Sequence, residues 1–132
     1  MVNILIVTHN KIGAEILKTA ETILGKCIPS VQTISIPGNL KPEKLGLFAD
    51  EIRLTIESLE KADGVLILTD IYGATPSNLV HYFTCSHHVK ILSGLNLPML
   101  IRILNYAEQP LDLLAKIGIV GANKGITKEI GL

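Results

Sequence analysis

Two side chains of this 132-residue chain stand where an imidazole and a carboxylate can meet. His9 follows the apolar run Ile4-Leu5-Ile6-Val7-Thr8, and Asp70 follows a matching run, Val65-Leu66-Ile67-Leu68-Thr69. A carboxylate that faces an imidazole accepts one ring N–H, which fixes the tautomer and raises the basicity of the other nitrogen. That nitrogen can then act as base, nucleophile or metal ligand. The plainer alternative is a strand-end histidine satisfied by its own loop.

The residues after Asp70 narrow the choice. They read Ile71-Tyr72-Gly73-Ala74-Thr75-Pro76-Ser77-Asn78. Thr75 has the chemistry of an N-cap, and Pro76 suits the first helical position. Gly73 and Ala74 are small enough to let backbone approach a ligand. A helix starting here offers unpaired amides, a positive dipole end and the hydroxyls of Thr75 and Ser77. Such an end is an anion site, and phosphate is the usual anion. A merely well-capped helix would explain Thr75 and Pro76 equally well. The co-location tips the balance: a nucleophile-capable histidine, an orienting aspartate and a phosphate-sized anion site specify a histidine that carries a phosphoryl group.

That convergence requires elements that bring residues 9 and 70 together. Val2 to Thr8 is a near-continuous β-branched run, as in parallel strands buried on both faces. Ile12, Ile16, Ala20, Ile23 and Leu24 recur at helical spacing, and Gly25 ends that helix. Val31 to Ile36 reads as a second, more polar strand, broken by Pro37-Gly38-Asn39. Pro42 suits a first helical turn, and Leu45, Ala49, Ile52, Ile56 and Leu59 form one apolar stripe. Val65 to Thr69 is the third strand, and a helix runs from Thr75 to about Cys85. Val89 to Leu92 is a fourth strand, followed by helices at Pro98 to Leu104 and Leu111 to Val120. Ile126 to Ile130 could form a short C-terminal strand.

This order predicts a doubly wound α/β domain, residues 1–132, with a mainly parallel sheet and helices on both faces. The most apolar strands, one and three, should be central, which gives the order 2-1-3-4 with right-handed crossovers. Ligands of such sheets bind beyond the carboxyl ends of the strands where the chain reverses direction, here strands one and three.

Composition removes whole classes of function. Twelve basic residues balance twelve acidic ones, and only 4% of residues are aromatic. Neither a charge surplus nor a stacking platform points to nucleic acid or to an anionic membrane. No apolar run approaches the ~20 residues that span a bilayer. No basic segment or small-residue cleavage site marks a secretory signal, so a cytoplasmic location is expected. Cys27 and Cys85 do not make a disulfide framework; free, buried thiols are expected. His81, His87 and His88 lack the spaced partners of a metal site and read as a solvated helix end, so no metal or other cofactor is expected. Asn96, before Pro98, reads as shaping a turn.

The chain resembles the sugar-transport IIA component of the phosphotransferase system, mannose family, from Met1 to about Ala122. Three ordered stretches carry the resemblance: Thr8-His9 at the end of the opening strand; Asp70-Ile71-Tyr72-Gly73-Ala74-Thr75-Pro76-Ser77-Asn78, similar to Asp–x–x–Gly–Gly–Ser/Thr–Pro–x–Asn; and Gly94-Leu95-Asn96-Leu97-Pro98-Met99-Leu100, similar to Gly–x–Asn–x–Pro–Met–Leu. The resemblance implies that His9 takes a phosphoryl group from the histidine phosphocarrier protein, HPr, and passes it to a IIB partner. It implies that Asp70 holds the ring with transfer at Nε2, and that Thr75 and the following amides bind the phosphoryl oxygens. It also implies a homodimer in which a C-terminal strand reaches across to the partner; the apolar stretch Pro98 to Leu104 would suit an interface or the core.

Two positions depart from the pattern. Asn10 stands where the family often has glycine after its histidine, and Ala74 replaces the second glycine of the pair. No IIB domain follows within these residues, so the acceptor is expected to be separate. Two other readings share this chemistry. One is a regulatory phosphohistidine protein; the other is the phosphotransfer subunit of dihydroxyacetone kinase, against which Thr75-Pro76 argues.

Overall fold

The computed structural model describes residues 1–61, 63–83 and 88–129. Its elements are β1 (Asn3–His9), α1 (Ile12–Leu24), β2 (Val31–Ile36), a single 3-10 turn (Pro42–Lys44), α2 (Leu45–Leu59), β3 (Val65–Thr69), α3 (Thr75–His81), β4 (Val89–Ser93), α4 (Leu97–Asn105) and α5 (Leu111–Lys124). The strands are parallel in the order β2-β1-β3-β4, as the apolar content of β1 and β3 predicts. Ile4 to Thr8 and Val65 to Thr69 are buried throughout, because helices cover both faces of the central pair.

Side chains alternate across the sheet and feed two cores. On one face Ile4, Ile6, Leu66 and Leu68 pack with Ala20 of α1, Leu100 and Ile103 of α4 and Leu114 of α5. On the other, Leu5, Val7, Val65 and Ile67 pack with Ile52 and Ile56 of α2 and Leu79 and Val80 of α3. Gly13 shows why α1 can lie so close to β1: a Cβ there would come within 2.8 Å of Ile6 Cγ2.

Several expectations shift. In α1 the packed positions are Gly13, Ile16, Leu17, Ala20 and Leu24, whereas Ile12 and Ile23 face outward at 51% and 58% exposure. The helix closes at Gly25 with φ +72°, a left-handed cap that glycine adopts without steric cost. Cys27 is a free thiol but exposed rather than buried, because it lies in the connection after that cap; Cys85 lies outside the described residues. Helix α3 ends at His81, a turn earlier than residue 85. Met99, Leu100, Ile103 and Leu104 of α4 are buried in the chain's own core. Residues 126–129 have no regular secondary structure, and Ile130, the end of the expected final strand, lies outside the described residues.

Candidate active site

The register of the two central strands makes the site. Pairing runs from Asn3↔Val65 to Val7↔Thr69, so Thr8-His9 and Asp70 leave the sheet side by side at its carboxyl end. There one carboxylate oxygen does two jobs. Asp70 Oδ2 accepts the backbone N–H of His9 at 3.0 Å and lies 2.8 Å from the ring Nδ1 of His9. The other oxygen, Oδ1, accepts the Ile71 N–H at 3.0 Å. The aspartate side chain is 13% exposed and the histidine 32%. Partial burial alone would raise the Asp70 pKa, but the His9 ring and amide and the Ile71 amide outweigh it and hold the carboxyl below its ordinary 3.8. An ionised carboxylate can only accept, so Nδ1 carries a proton, and in the neutral ring the lone pair then lies on Nε2. Among the described residues Nε2 has no hydrogen-bond partner.

Hydroxyls at the strand ends brace this pair, and sequence reasoning passed over them. Thr8 is buried, and its Oγ1 accepts the Gly13 N–H at 2.9 Å, tying the start of α1 to the residue before His9. Thr69 is also buried, and its Oγ1 lies 2.7 Å from Ser93 Oγ on β4. The signal in the sequence was a threonine at the end of each otherwise apolar strand. Such a hydroxyl cannot be buried without a partner except at a cost of about 1–3 kcal/mol.

The phosphoryl-binding candidates follow directly. Gly73 has φ +84°, a left-handed turn open to glycine, and its carbonyl accepts from Asn78 Nδ2 at 3.2 Å. Ala74 is extended, with φ −87° and ψ 175°, so the departure from glycine fits the backbone without strain. Ala74, not Thr75, is the N-cap: the Asn78 N–H already bonds the Ala74 carbonyl at 2.9 Å, so the helix begins one residue earlier than the threonine cap required. Thr75 is the first helical residue, half-buried, and no side chain caps this end. Pro76 therefore sits at the second helical position. Ser77 is fully buried, and its hydroxyl has no partner among the described residues.

The remaining candidates serve structure. Asn96 is the N-cap of α4, accepting the Met99 N–H at 2.8 Å. His81 ends α3 with its ring edge-to-face on Tyr72, centroids 6.1 Å apart. His88 is exposed before β4, where its N–H bonds Glu60 Oε1 at 2.7 Å. His87 lies outside the described residues.

The chain is similar to known proteins in sequence and in fold. The family described as PTS system fructose IIA component matches residues 3–115. The PTS system mannose-specific EIIAB component of Escherichia coli (strain K12) is 29% identical over 102 residues, which cover 76% of this chain and 30% of that protein. The chain thus spans the smaller part of that relative's length. Among solved structures, the mannose/sorbose specific IIA subunit of the phosphotransferase system from Enterococcus faecalis superposes with a TM-score of 0.85 at 19% identity, covering 99% of this chain and 96% of its own. Phosphotransferase system component EIIA from Streptococcus agalactiae gives 0.79 at 26% identity, covering 97% of each chain. At 19% identity the first likeness speaks for the fold alone, whereas the family match runs from β1 into α5 and takes in both His9 and Asp70. On that ground the chain belongs to the PTS system fructose IIA component family, the IIA components of the sugar phosphotransferase system.

Proposed function

We propose that the protein is a phosphocarrier: His9 accepts a phosphoryl group from the histidine phosphocarrier protein and passes it to a IIB component. The observation that carries this reading is the His9–Asp70 pair, in which a carboxylate holds the proton on Nδ1 and leaves Nε2 free. In the accepting step the Nε2 lone pair attacks the phosphorus. The P–N bond to the donor histidine breaks, and the donor nitrogen keeps the electron pair. The His9 ring then bears positive charge, and the Nδ1–H···Asp70 hydrogen bond offsets it. Transfer to the IIB component runs the same exchange in the opposite sense. Gly73, Ala74, Thr75 and Ser77 are the groups proposed to meet the phosphoryl oxygens, through amides at the start of α3 and two hydroxyls. No metal enters the scheme.

The same reading makes the protein a cytoplasmic homodimer. No helix among the described residues is long and apolar enough to cross a membrane. Of the two readings of Pro98 to Leu104, interface or core, the buried Met99, Leu100, Ile103 and Leu104 take the core, so support for a dimer moves to the outer face of α5. There Leu113, Ile117 and Val120 line one groove with Arg102 of α4 and Tyr106 just after that helix. Among the described residues β4 is an edge strand of the sheet, and a strand from a partner subunit would pair there.

Incubation with the phosphorylated histidine phosphocarrier protein, followed by mapping of the acid-labile modification by mass spectrometry, tests the assignment. The expected product carries one phosphoryl group, on His9. A phosphoryl group on His81, His87 or His88 that survives His9→Ala would overturn it.

A further inference from the structure

We infer that Asn10 is a positioning residue for transfer at His9: it fixes the backbone that carries the histidine ring by clamping the loop after β2. This rests on the phosphocarrier reading of the site.

Among the described residues Asn10 is the one non-glycine with positive φ, at +49°. The chain must leave the sheet abruptly here, because His9 ends β1 and α1 begins at Ile12. Only glycine enters the left-handed region freely; asparagine is among the few other residues that tolerate it. The Asn10 backbone N–H donates to the Ile36 carbonyl at 2.7 Å, a bond glycine would also make, and its side chain adds what glycine lacks: Oδ1 accepts the Gly38 N–H at 3.0 Å. One residue therefore grips both ends of Ile36-Pro37-Gly38.

The placement of this grip matters. His9 pairs with Ile36 in the last register position between β1 and β2. On its other side Thr8 anchors the start of α1 through the Gly13 N–H. Asp70 orients the ring, while the backbone beneath the ring is held by Thr8 before it and Asn10 after it. Pro37 and Gly38 are exposed, and a hollow of about 490 Å³ lined by Asn10, Lys11, Ser35 and Pro37 opens beside them. No core packing holds Gly38 in place, so the side-chain bond from Asn10 is its anchor. In-line attack needs Nε2 aimed to within fractions of an ångström, and a misplacement of about 1 Å costs roughly 100-fold in rate.

The test is single-turnover transfer from the phosphorylated histidine phosphocarrier protein, over a range of donor concentrations, in wild type, Asn10→Gly and Asn10→Ala. Glycine keeps the left-handed turn and the backbone bond to Ile36 and removes only the side-chain bond to Gly38, so this variant retains its fold. Its maximal rate should fall about 5- to 20-fold, within the range of a partial misplacement, with the half-saturating donor concentration changed less than about two-fold. Its Gly38 amide should shift in the ¹⁵N spectrum and exchange faster with solvent. Alanine should lose the clamp and also strain the turn, giving a larger loss of rate and a lower melting temperature. A wild-type maximal rate in Asn10→Gly would overturn the inference. So would a loss confined to half-saturation, which would make Asn10 a docking contact instead. A wild-type protein that takes no phosphoryl group would overturn the phosphocarrier reading itself, whereas the Gly38 amide would still report the clamp.

Discussion

Asp70 Oδ2 holds His9 twice, by its backbone N–H at 3.0 Å and by its ring Nδ1 at 2.8 Å. The same oxygen therefore sets where the residue sits and how its ring is turned. A neutral partner could satisfy the backbone amide, but it could not offset positive charge on a phosphorylated ring.

Asp70→Asn should accordingly fold and still accept phosphoryl from the donor about two or more orders of magnitude more slowly, on the scale of carboxylates that orient catalytic histidines. The check is rapid-quench transfer kinetics. The same variant should alter the acid limb of stability. The Asp70 pKa is lowered in the folded protein, so its contribution is fully present above the ordinary 3.8 and is lost as pH falls through the lower folded value. Urea midpoints should separate wild type from Asp70→Asn most at neutral pH and converge below that range.

Thr75→Ala should separate two roles that the sequence merges. Ala74 is the N-cap and no side chain caps α3, so folding stability should change by no more than about 0.5 kcal/mol. The transfer equilibrium with the donor should shift against the phosphorylated form by about 1.5–3 kcal/mol, the scale of one hydrogen bond to a charged group. Thr75→Ser should restore it. An unshifted equilibrium in Thr75→Ala would remove the hydroxyl from the phosphoryl site.

Ser77→Ala should move stability and transfer in opposite directions. Its hydroxyl is buried without a partner, so deleting it should leave the melting temperature unchanged or raise it. The phosphorylated form should become less favoured, because a proposed donor is gone. An unchanged transfer equilibrium would leave the oxyanion contacts to the backbone and Thr75.

Asn96→Ala should cost about 1 kcal/mol through the lost cap on α4. Transfer rates should stay at the wild-type level, since its side chain bonds Met99 N–H and the Ala122 carbonyl, at 2.8 and 3.4 Å. Chemical denaturation and transfer kinetics measured on one sample decide this. A large rate loss would bring Asn96 into the site.

Sedimentation at micromolar concentration should give a dimer. Val120→Glu places a charge on the outer face of α5, where the residue is 45% exposed, and should yield a folded monomer. A monomeric wild type would refute the dimer, and a Val120→Glu dimer would move the interface to another face.

The sequence by itself determined the layered sheet and the meeting of His9 with Asp70. β1 and β3 are apolar on both faces, which forces them to the centre, and the topology then brings their carboxyl ends together. These features follow from local composition and chain order. Tertiary structure alone decided the finer roles. Thr75 has the residue type of a cap, yet where the helix starts depends on which carbonyl the Asn78 N–H reaches. Met99 to Leu104 could have faced a partner or the core, and the choice lay with the packing of α4 against the sheet and α5. Asn10 looked like a departure from glycine; its left-handed turn and its bond to Gly38, 28 residues away, exist only once β2 lies beside β1. Periodicity records which face of an element is apolar. Which hydrogen bonds join distant segments is settled by where those segments end up in space.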